Sequence, residues 1–221
     1  RQRAPGSPAP RVRSGGKRPG VAQAVASGCG GEGPRDYRRA AEGAAAWAEG
    51  NRELLGSDGR LVLCGYSSGG HVAALLALAQ CEAGRKGGPR FDAVVLISGL
   101  YDLRTETLKG PARVVAPALN FVYRGILGLA GERERHEASP AALVRSGQQG
   151  RLDAGCPWWV LSARRELLGL WPLEDAVFGC SDFVDGLAAK GADVRRAECG
   201  YNHWLLVFSF DAFARSFCGS L

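Results

Sequence analysis

Leu61-Val62-Leu63-Cys64-Gly65-Tyr66-Ser67-Ser68-Gly69-Gly70-His71 is an apolar run of strand type, then Gly-x-Ser-x-Gly, then the small and apolar residues of a helix. That order is a nucleophile elbow, a sharp strand-to-helix turn that holds a serine in a strained backbone conformation. Gly65 and Gly69 are expected to flank the serine because a Cβ two residues away on either side would crowd the turn. The glycine frame selects Ser67. Moving the motif by one residue, to Ser68, would put Tyr66 where the first glycine belongs. An elbow exposes the serine oxygen at the end of a sheet. It also points the N–H of Ser68, at a helix N-terminus, to where an oxyanion would form.

Working outward, strand patterns alternate with helix patterns, which predicts an α/β fold with a mostly parallel sheet and flanking helices. A helix is expected from Asp36, with Tyr37, Ala40, Ala41, Ala44, Trp47 and Ala48 on one stripe. Arg60–Cys64 reads as a central strand and His71–Cys81 as a buried helix, apolar nearly all round. Phe91–Ile97 is the second strand and ends in Ser98-Gly99-Leu100-Tyr101-Asp102-Leu103. Residues 104–151 read as a helical insertion or lid with no strand pattern and a greasy surface. Pro157–Leu161 is the third strand. Pro172 opens a long helix that Gly191 stops, with Glu174 and Asp175 placed for its dipole. Asp193–Ala197 is the last strand, Glu198–His203 a loop, and Trp204–Phe217 a final helix. Residues 1–34 are rich in Pro, Gly, Ser, Ala and Arg and poor in large apolar residues, so they are expected to be disordered. Residues 35–221 then form the folded domain.

Reactive groups of a parallel sheet gather at the carboxyl ends of its strands, and Ser67, Asp102, Glu166 and His203 each follow a strand. A serine hydroxyl at neutral pH needs a base. Of the three histidines, His71 lies on the elbow's own helix and reads as structural. His136 sits in the charged run Glu132-Arg133-Glu134-Arg135 and reads as a solvated surface residue. His203 lies in the loop after the last strand and is the candidate base. A base of this kind needs a carboxylate to hold its tautomer. Glu166 is the candidate, in the chain order Ser, acid, His; Asp102 is the alternative acid.

The chain has 221 residues, enough for one α/β domain with a proper core. Its net charge of +6 belongs to the tail. Arg1, Arg3, Arg11, Arg13, Lys17 and Arg18 meet no acid before Glu32, and the rest of the chain is neutral, so no nucleic-acid partner is indicated. There is no membrane span: the nearest apolar stretch, Gly110 to Gly131, carries Arg113 and Arg124 and is broken by Pro and Gly. The seven cysteines, at 29, 64, 81, 156, 180, 199 and 218, show no CxxC spacing. They read as buried thiols rather than a zinc site or a disulfide framework. No methionine occurs, even at position 1, as expected of a fragment, a processed form or an incomplete gene model. The compartment stays open. The default is the cytoplasm, and the Arg-rich, acid-poor N-terminus resembles an organelle transit peptide. Nothing sets the oligomeric state.

Gly65-Tyr66-Ser67-Ser68-Gly69-Gly70-His71, Ser98–Leu103 followed by Ser139-Pro140, and Asn202-His203 together resemble the α/β-hydrolase superfamily, in its carboxylesterase and kynurenine-formamidase-like group. The resemblance covers roughly residues 36 to 217. It implies Ser67 as nucleophile, His203 as base and the acid at Glu166, where the group usually holds Asp. It further implies hydrolysis of a small-molecule carboxylic ester, or a related amide, through an acyl-enzyme without cofactor or metal. The group's His-Gly-Gly-Gly oxyanion motif and the strand before it are absent, and Cys29-Gly30-Gly31 has neither the histidine nor a strand ahead of it. The fold is therefore expected to be incomplete on its N-terminal side. Alone, the chain is expected to be poorly soluble and a slow hydrolase. Two other readings are a catalytically impaired relative that binds a ligand or partner, and a serine peptidase of the same fold.

Overall fold

The structure is a computed structural model, and it describes residues 34–55, 60–81, 87, 89–125, 128–146, 150–165, 175 and 177–202. The expected tail as far as residue 33 and the expected final helix over 204–217 lie outside the described residues. Pro34, grouped with the tail by composition, is instead the first residue of a helix.

Among the described residues, four parallel strands lie in the order β1-β2-β3-β4: β1 is Val62–Tyr66, β2 Ala93–Ile97, β3 Trp158–Arg165 and β4 Val194–Asn202. Each connection is a crossover, as parallel pairing requires. The strands are flanked by α1 (Pro34–Gly50), α2 (Ser68–Gln80), α5 (Pro140–Arg145) and α6 (Cys180–Ala189). Between β2 and β3 the chain makes two 3₁₀ turns, then α3 (Ala116–Gly125) and α4 (Glu132–Glu137), before reaching α5.

Strand alternation sorts the core. Val94, Leu96, Trp158 and Val160 face the helices and share one apolar cluster with Ala45 of α1, Ala74 and Leu76 of α2, Ala141 and Val144 of α5, and Phe183 and Leu187 of α6. Ile97, Trp159, Leu161 and Ala163 form a second cluster on the other face. Phe183 is fully buried. It stacks on the Tyr101 ring at 4.6 Å and meets Trp158 edge-on at 6.3 Å, two arrangements aromatic rings favour.

The structure corrects several expectations. The buried face of α1 is Ala41, Ala45 and Ala48, which packs against α2; Ala40 and Trp47 point outward. With alanine on nearly every side of this helix, periodicity could not choose a face, and close packing against α2 chose the smallest one. The expected loop Glu198–His203 is strand as far as Asn202, and β3 runs on to Arg165, because these stretches pair with each other: Ser162↔Glu198, Ala163↔Cys199 and Arg165↔Asn202, with an irregularity between 163 and 165. The helix expected to run unbroken from Pro172 is interrupted at Gly179, in the left-handed region at φ 68°. A Cβ there would lie 2.6 Å from the Cβ of Asp102. The break lets the Phe178 carbonyl accept from the N–H groups of both Tyr101 (2.8 Å) and Asp102 (3.1 Å). Asp175, expected to serve the dipole of one long helix, caps α6 instead, accepting from the Ser181 N–H at 3.0 Å and its hydroxyl at 2.5 Å.

Residues 104–151 are helical without a strand among those described, as the sequence suggests. They do not all stand off the sheet, since α5 contributes to the main core. In the charged run of α4, Arg135 is buried against the Ala130 carbonyl and Glu106, and His136 is half-buried rather than fully solvated. Cys81, Cys156 and Cys180 are buried as expected, whereas Cys64 is exposed on β1, which is an edge strand among the described residues.

Candidate active site

β1 delivers the chain into a sharp turn at Ser67. Ser67 caps α2 with φ 53° and ψ −122°, a positive φ that a residue with a Cβ adopts only where its surroundings impose it. The surroundings are specific. The Ser67 N–H donates to the Ile97 carbonyl at 2.9 Å, extending the β1–β2 ladder by one residue, while the Ser67 carbonyl accepts from the His71 N–H at 3.2 Å and starts the helix. Both constraints act on one residue, so the chain must reverse there.

The glycines around it divide the work differently from the sequence expectation. A Cβ on Gly65 would lie 2.3 Å from the Gly69 carbonyl oxygen and 2.7 Å from the Ala73 Cβ, so Gly65 is sterically obligatory. A Cβ on Gly69 would meet nothing within 4 Å; that expectation of crowding is corrected. The second tight position is Gly70, where a Cβ would come 3.1 Å from the Gly99 Cα. The crowding falls one residue later because α2 leans there on the chain leaving β2.

Ser68 is the first residue of α2 and is exposed, so its N–H belongs to the first turn, where a helix leaves its amides unbonded. Sequence reading missed Ser98, the residue that follows β2 as Ser67 follows β1. It too has a positive φ, 46°, its N–H donates to the Leu161 carbonyl at 2.7 Å, and its buried hydroxyl meets no hydrogen-bond partner among the described residues. A serine closing an apolar strand was visible in the sequence, but nothing there marks the backbone strain.

His71 is structural, as read. It is buried, and its Nδ1–H donates to the Leu100 carbonyl at 2.7 Å, which ties α2 to the chain leaving β2 and fixes the tautomer. Nε2 is buried without a partner among the described residues. Burial pushes the His71 pKa below the ordinary 6.5, with the Leu100 bond opposing. A histidine held neutral in the fold takes up a proton more readily once unfolded. The unfolded state therefore binds more protons as pH falls below about 6.5, and stability falls with it. The urea midpoint of the wild-type chain is expected to decline between about pH 6.5 and 5 more steeply than that of His71→Gln. Parallel curves would remove His71 from this role.

Asp102 is buried, and Arg104 occupies both its oxygens: Nε to Oδ1 at 2.9 Å and Nη2 to Oδ2 at 2.7 Å, with the Arg104 backbone N–H also on Oδ1. This bidentate pair raises the Arg104 pKa. Asp102 thus latches the segment after β2 beneath Gly179. Asp102→Asn is expected to cost about 2 kcal/mol of stability by leaving Arg104 short of an acceptor, read as a lower urea midpoint. Ser139, flagged with Pro140 in the sequence, is fully buried beside this latch, accepting from the Leu103 N–H at 2.8 Å and donating to the Arg135 carbonyl at 2.6 Å.

Glu166 and His203 lie outside the described residues. The residues just before them are described, and they are registered partners: Arg165 pairs with Asn202 across β3 and β4. Among the described residues, no cluster of His, Cys, Asp and Glu could hold a metal ion, and no helix is long and apolar enough to cross a membrane. Two surface depressions, of about 600 and 360 Å³, are lined by residues 150–151 with 188–191 and by residues of the 105–135 segment; Ser67 lines neither.

The sequence matches a family described as alpha/beta hydrolase fold over residues 34–171, from the first residue of α1 to beyond β3. Among solved structures, a thermostable esterase from Pseudomonas putida superposes with a TM-score of 0.51 at 24% identity, over 73% of this chain and 48% of its own. Carboxyl esterase 2 from the mycorrhizal fungus Tuber melanosporum gives 0.52 at 19%, over 75% and 52%. A hyperthermophilic esterase from the archaeon Pyrobaculum calidifontis gives 0.51 at 23%, over 75% and 51%. The chain spans about half the length of these structures. No curated protein matches the sequence.

Proposed function

Because the chain belongs to the α/β-hydrolase fold family, we propose that it is a serine hydrolase that cleaves a carboxylic ester, or a related amide, through an acyl-enzyme at Ser67. The observation that carries this is the backbone of Ser67, held at positive φ between a strand ladder and a helix start, with Gly65 packed too tightly to bear a Cβ. Such strain persists where it serves a site. His203 takes the Ser67 proton as the hydroxyl oxygen attacks the carbonyl carbon, and Glu166 holds the imidazole and stabilises its cation. The Ser68 N–H, at the positive end of α2, stabilises the oxyanion. His203 then gives the proton to the leaving group. Water, deprotonated in turn by His203, releases the acid and restores Ser67. The pairing of Arg165 with Asn202 supports this assignment, since the chain enters residues 166 and 203 from neighbouring positions.

Residues 35–221 are the catalytic domain in this reading, and the stretch 104–151 covers part of the substrate crevice. Leu119, Phe121 and Val122 supply an apolar wall; Phe121 is 77% exposed and available for it. A preference for apolar acyl or alcohol groups follows. Across p-nitrophenyl esters, kcat/KM is expected to rise about tenfold from acetate to butyrate, two methylenes at about 0.8 kcal/mol each. A preference for strongly charged esters would count against the wall.

The direct test is a fluorophosphonate probe followed by peptide mapping. Labelling on Ser67 is expected. Labelling on Ser68 or Ser98 would overturn the nucleophile assignment, and a folded chain that takes no label would be a ligand-binding relative instead of an enzyme.

A further inference from the structure

The thiols of Cys81 and Cys156 come together at the end of the sheet remote from the elbow. Cys81 follows the last residue of α2, its N–H bonded to the Ala77 carbonyl at 2.7 Å, and Cys156 sits two residues before β3. The sulfurs are 3.3 Å apart, and both side chains are buried, 5% and 2% exposed. The backbone around them is already fastened. The Asp153 N–H donates to the Cys81 carbonyl at 2.8 Å, the Cys156 N–H to the Asp153 carbonyl at 3.1 Å, and the Gly155 N–H to the Asp153 Oδ1 at 2.9 Å. The first of these bonds joins the two chain segments independently of the thiols, and the other two fix the turn that carries Cys156.

We propose that Cys81 and Cys156 are a redox pair that closes to a disulfide when the protein meets a hydroperoxide, tying the end of α2 to the approach of β3. Closing the gap to the bonded distance of about 2.05 Å asks for rotation about the side-chain bonds, with little backbone movement. The two thiols are also unequal partners. The hydrogen bond between the two sulfurs lowers the Cys156 pKa from the ordinary thiol range and, together with burial, pushes that of Cys81 up. Cys156 is therefore the attacking sulfur. Its thiolate displaces one oxygen of the hydroperoxide: the S–O bond forms, the O–O bond breaks, and the leaving oxygen takes a proton to depart as water or alcohol. Cys81 then attacks the Cys156 sulfenic acid. The S–S bond forms, the S–O bond breaks, and hydroxide leaves as water with the Cys81 proton. Two thiols are oxidised by two electrons and one hydroperoxide is reduced. The oxidant reaches Cys156 through its own turn, where Ala154 and Gly155 are exposed.

The bridge would link residues 75 apart in sequence, a long loop to close in the unfolded chain. It sits at the opposite end of α2 from Ser67, about 20 Å along the helix, so its effect is on stability rather than on the serine. The 221-residue chain is treated with hydrogen peroxide, alkylated in denaturant and mapped by mass. The expected result is one cross-linked peptide pair carrying Cys81 and Cys156, two hydrogens lighter than the reduced peptides and separated by dithiothreitol. The urea midpoint of the oxidised chain should rise by about 1 M, and this rise should be absent in the Cys81→Ser and Cys156→Ser variants. The mapping uses the wild-type chain, so it stands even if a variant folds poorly. Both thiols remaining alkylatable at peroxide levels that oxidise exposed Cys64 would overturn the proposal. So would a bridge from either cysteine to Cys64 or Cys180, or a midpoint unchanged by the bridge.

Discussion

Ser67→Ala is expected to lower kcat for a simple ester by on the order of 10⁵–10⁶-fold, while Ser68→Ala keeps most of the activity. Two features separate the neighbours. Ser67 alone carries the positive φ and the double backbone constraint, whereas Ser68 is an exposed first-turn residue whose proposed contribution is its backbone N–H, which alanine retains. His203→Ala should match Ser67→Ala, because residues that act as one unit lose their effect together, and Glu166→Gln should be severe but milder. Steady-state kinetics on p-nitrophenyl butyrate, with circular dichroism to confirm folding, gives the comparison. Equal loss at Ser67 and Ser68 would sink the elbow frame. A folded Asp102→Asn chain more impaired than Glu166→Gln would move the acid to Asp102, and the bidentate hold of Arg104 on both Asp102 oxygens argues for the opposite outcome.

The second large effect is on folding. Gly65→Ala places a methyl 2.3 Å from the Gly69 carbonyl oxygen and 2.7 Å from the Ala73 Cβ. The obstacles are backbone and a short side chain, so neither can swing aside, and α2 must shift from β1. A cost of about 3 kcal/mol is expected, at the upper end for overpacking, together with loss of the proposed activity as the turn at Ser67 opens. Gly69→Ala has open space around its new methyl and is expected to be neutral or to stabilise by up to about 1 kcal/mol, as alanine replaces glycine within a helix. Urea midpoints of the two variants check this. Similar losses at both positions would mean that strain in the turn itself, rather than the contact with Gly69 and Ala73, sets the glycine requirement.

Short-range pattern along the chain was enough to specify the kinds of element and their order. Apolar runs of strand length with apolar helices between them specify a parallel sheet, because strands covered on both faces have no polar alternation. Gly-x-Ser-x-Gly between a strand and a helix marked Ser67 as the residue under strain, and the Ser98–Leu103 stretch marked the end of β2. Contacts between distant segments needed the folded molecule. Which face of α1 is buried depended on α2, since alanine on most sides leaves the periodicity flat. Gly70, not Gly69, is the second crowded glycine because Gly99, beyond the end of β2, passes 3.1 Å from where its Cβ would stand. The stretch up to Asn202 is strand instead of loop because β3 extends alongside to pair with it. Gly179 breaks a helix that periodicity would continue because Asp102 occupies the space a Cβ would need. The burial of Cys81 against Cys156, 75 residues away, left no trace in spacing at all. Local pattern sets an element's type through the geometry of its own backbone, whereas its boundaries, its buried face and its partners depend on whichever segment the fold brings alongside.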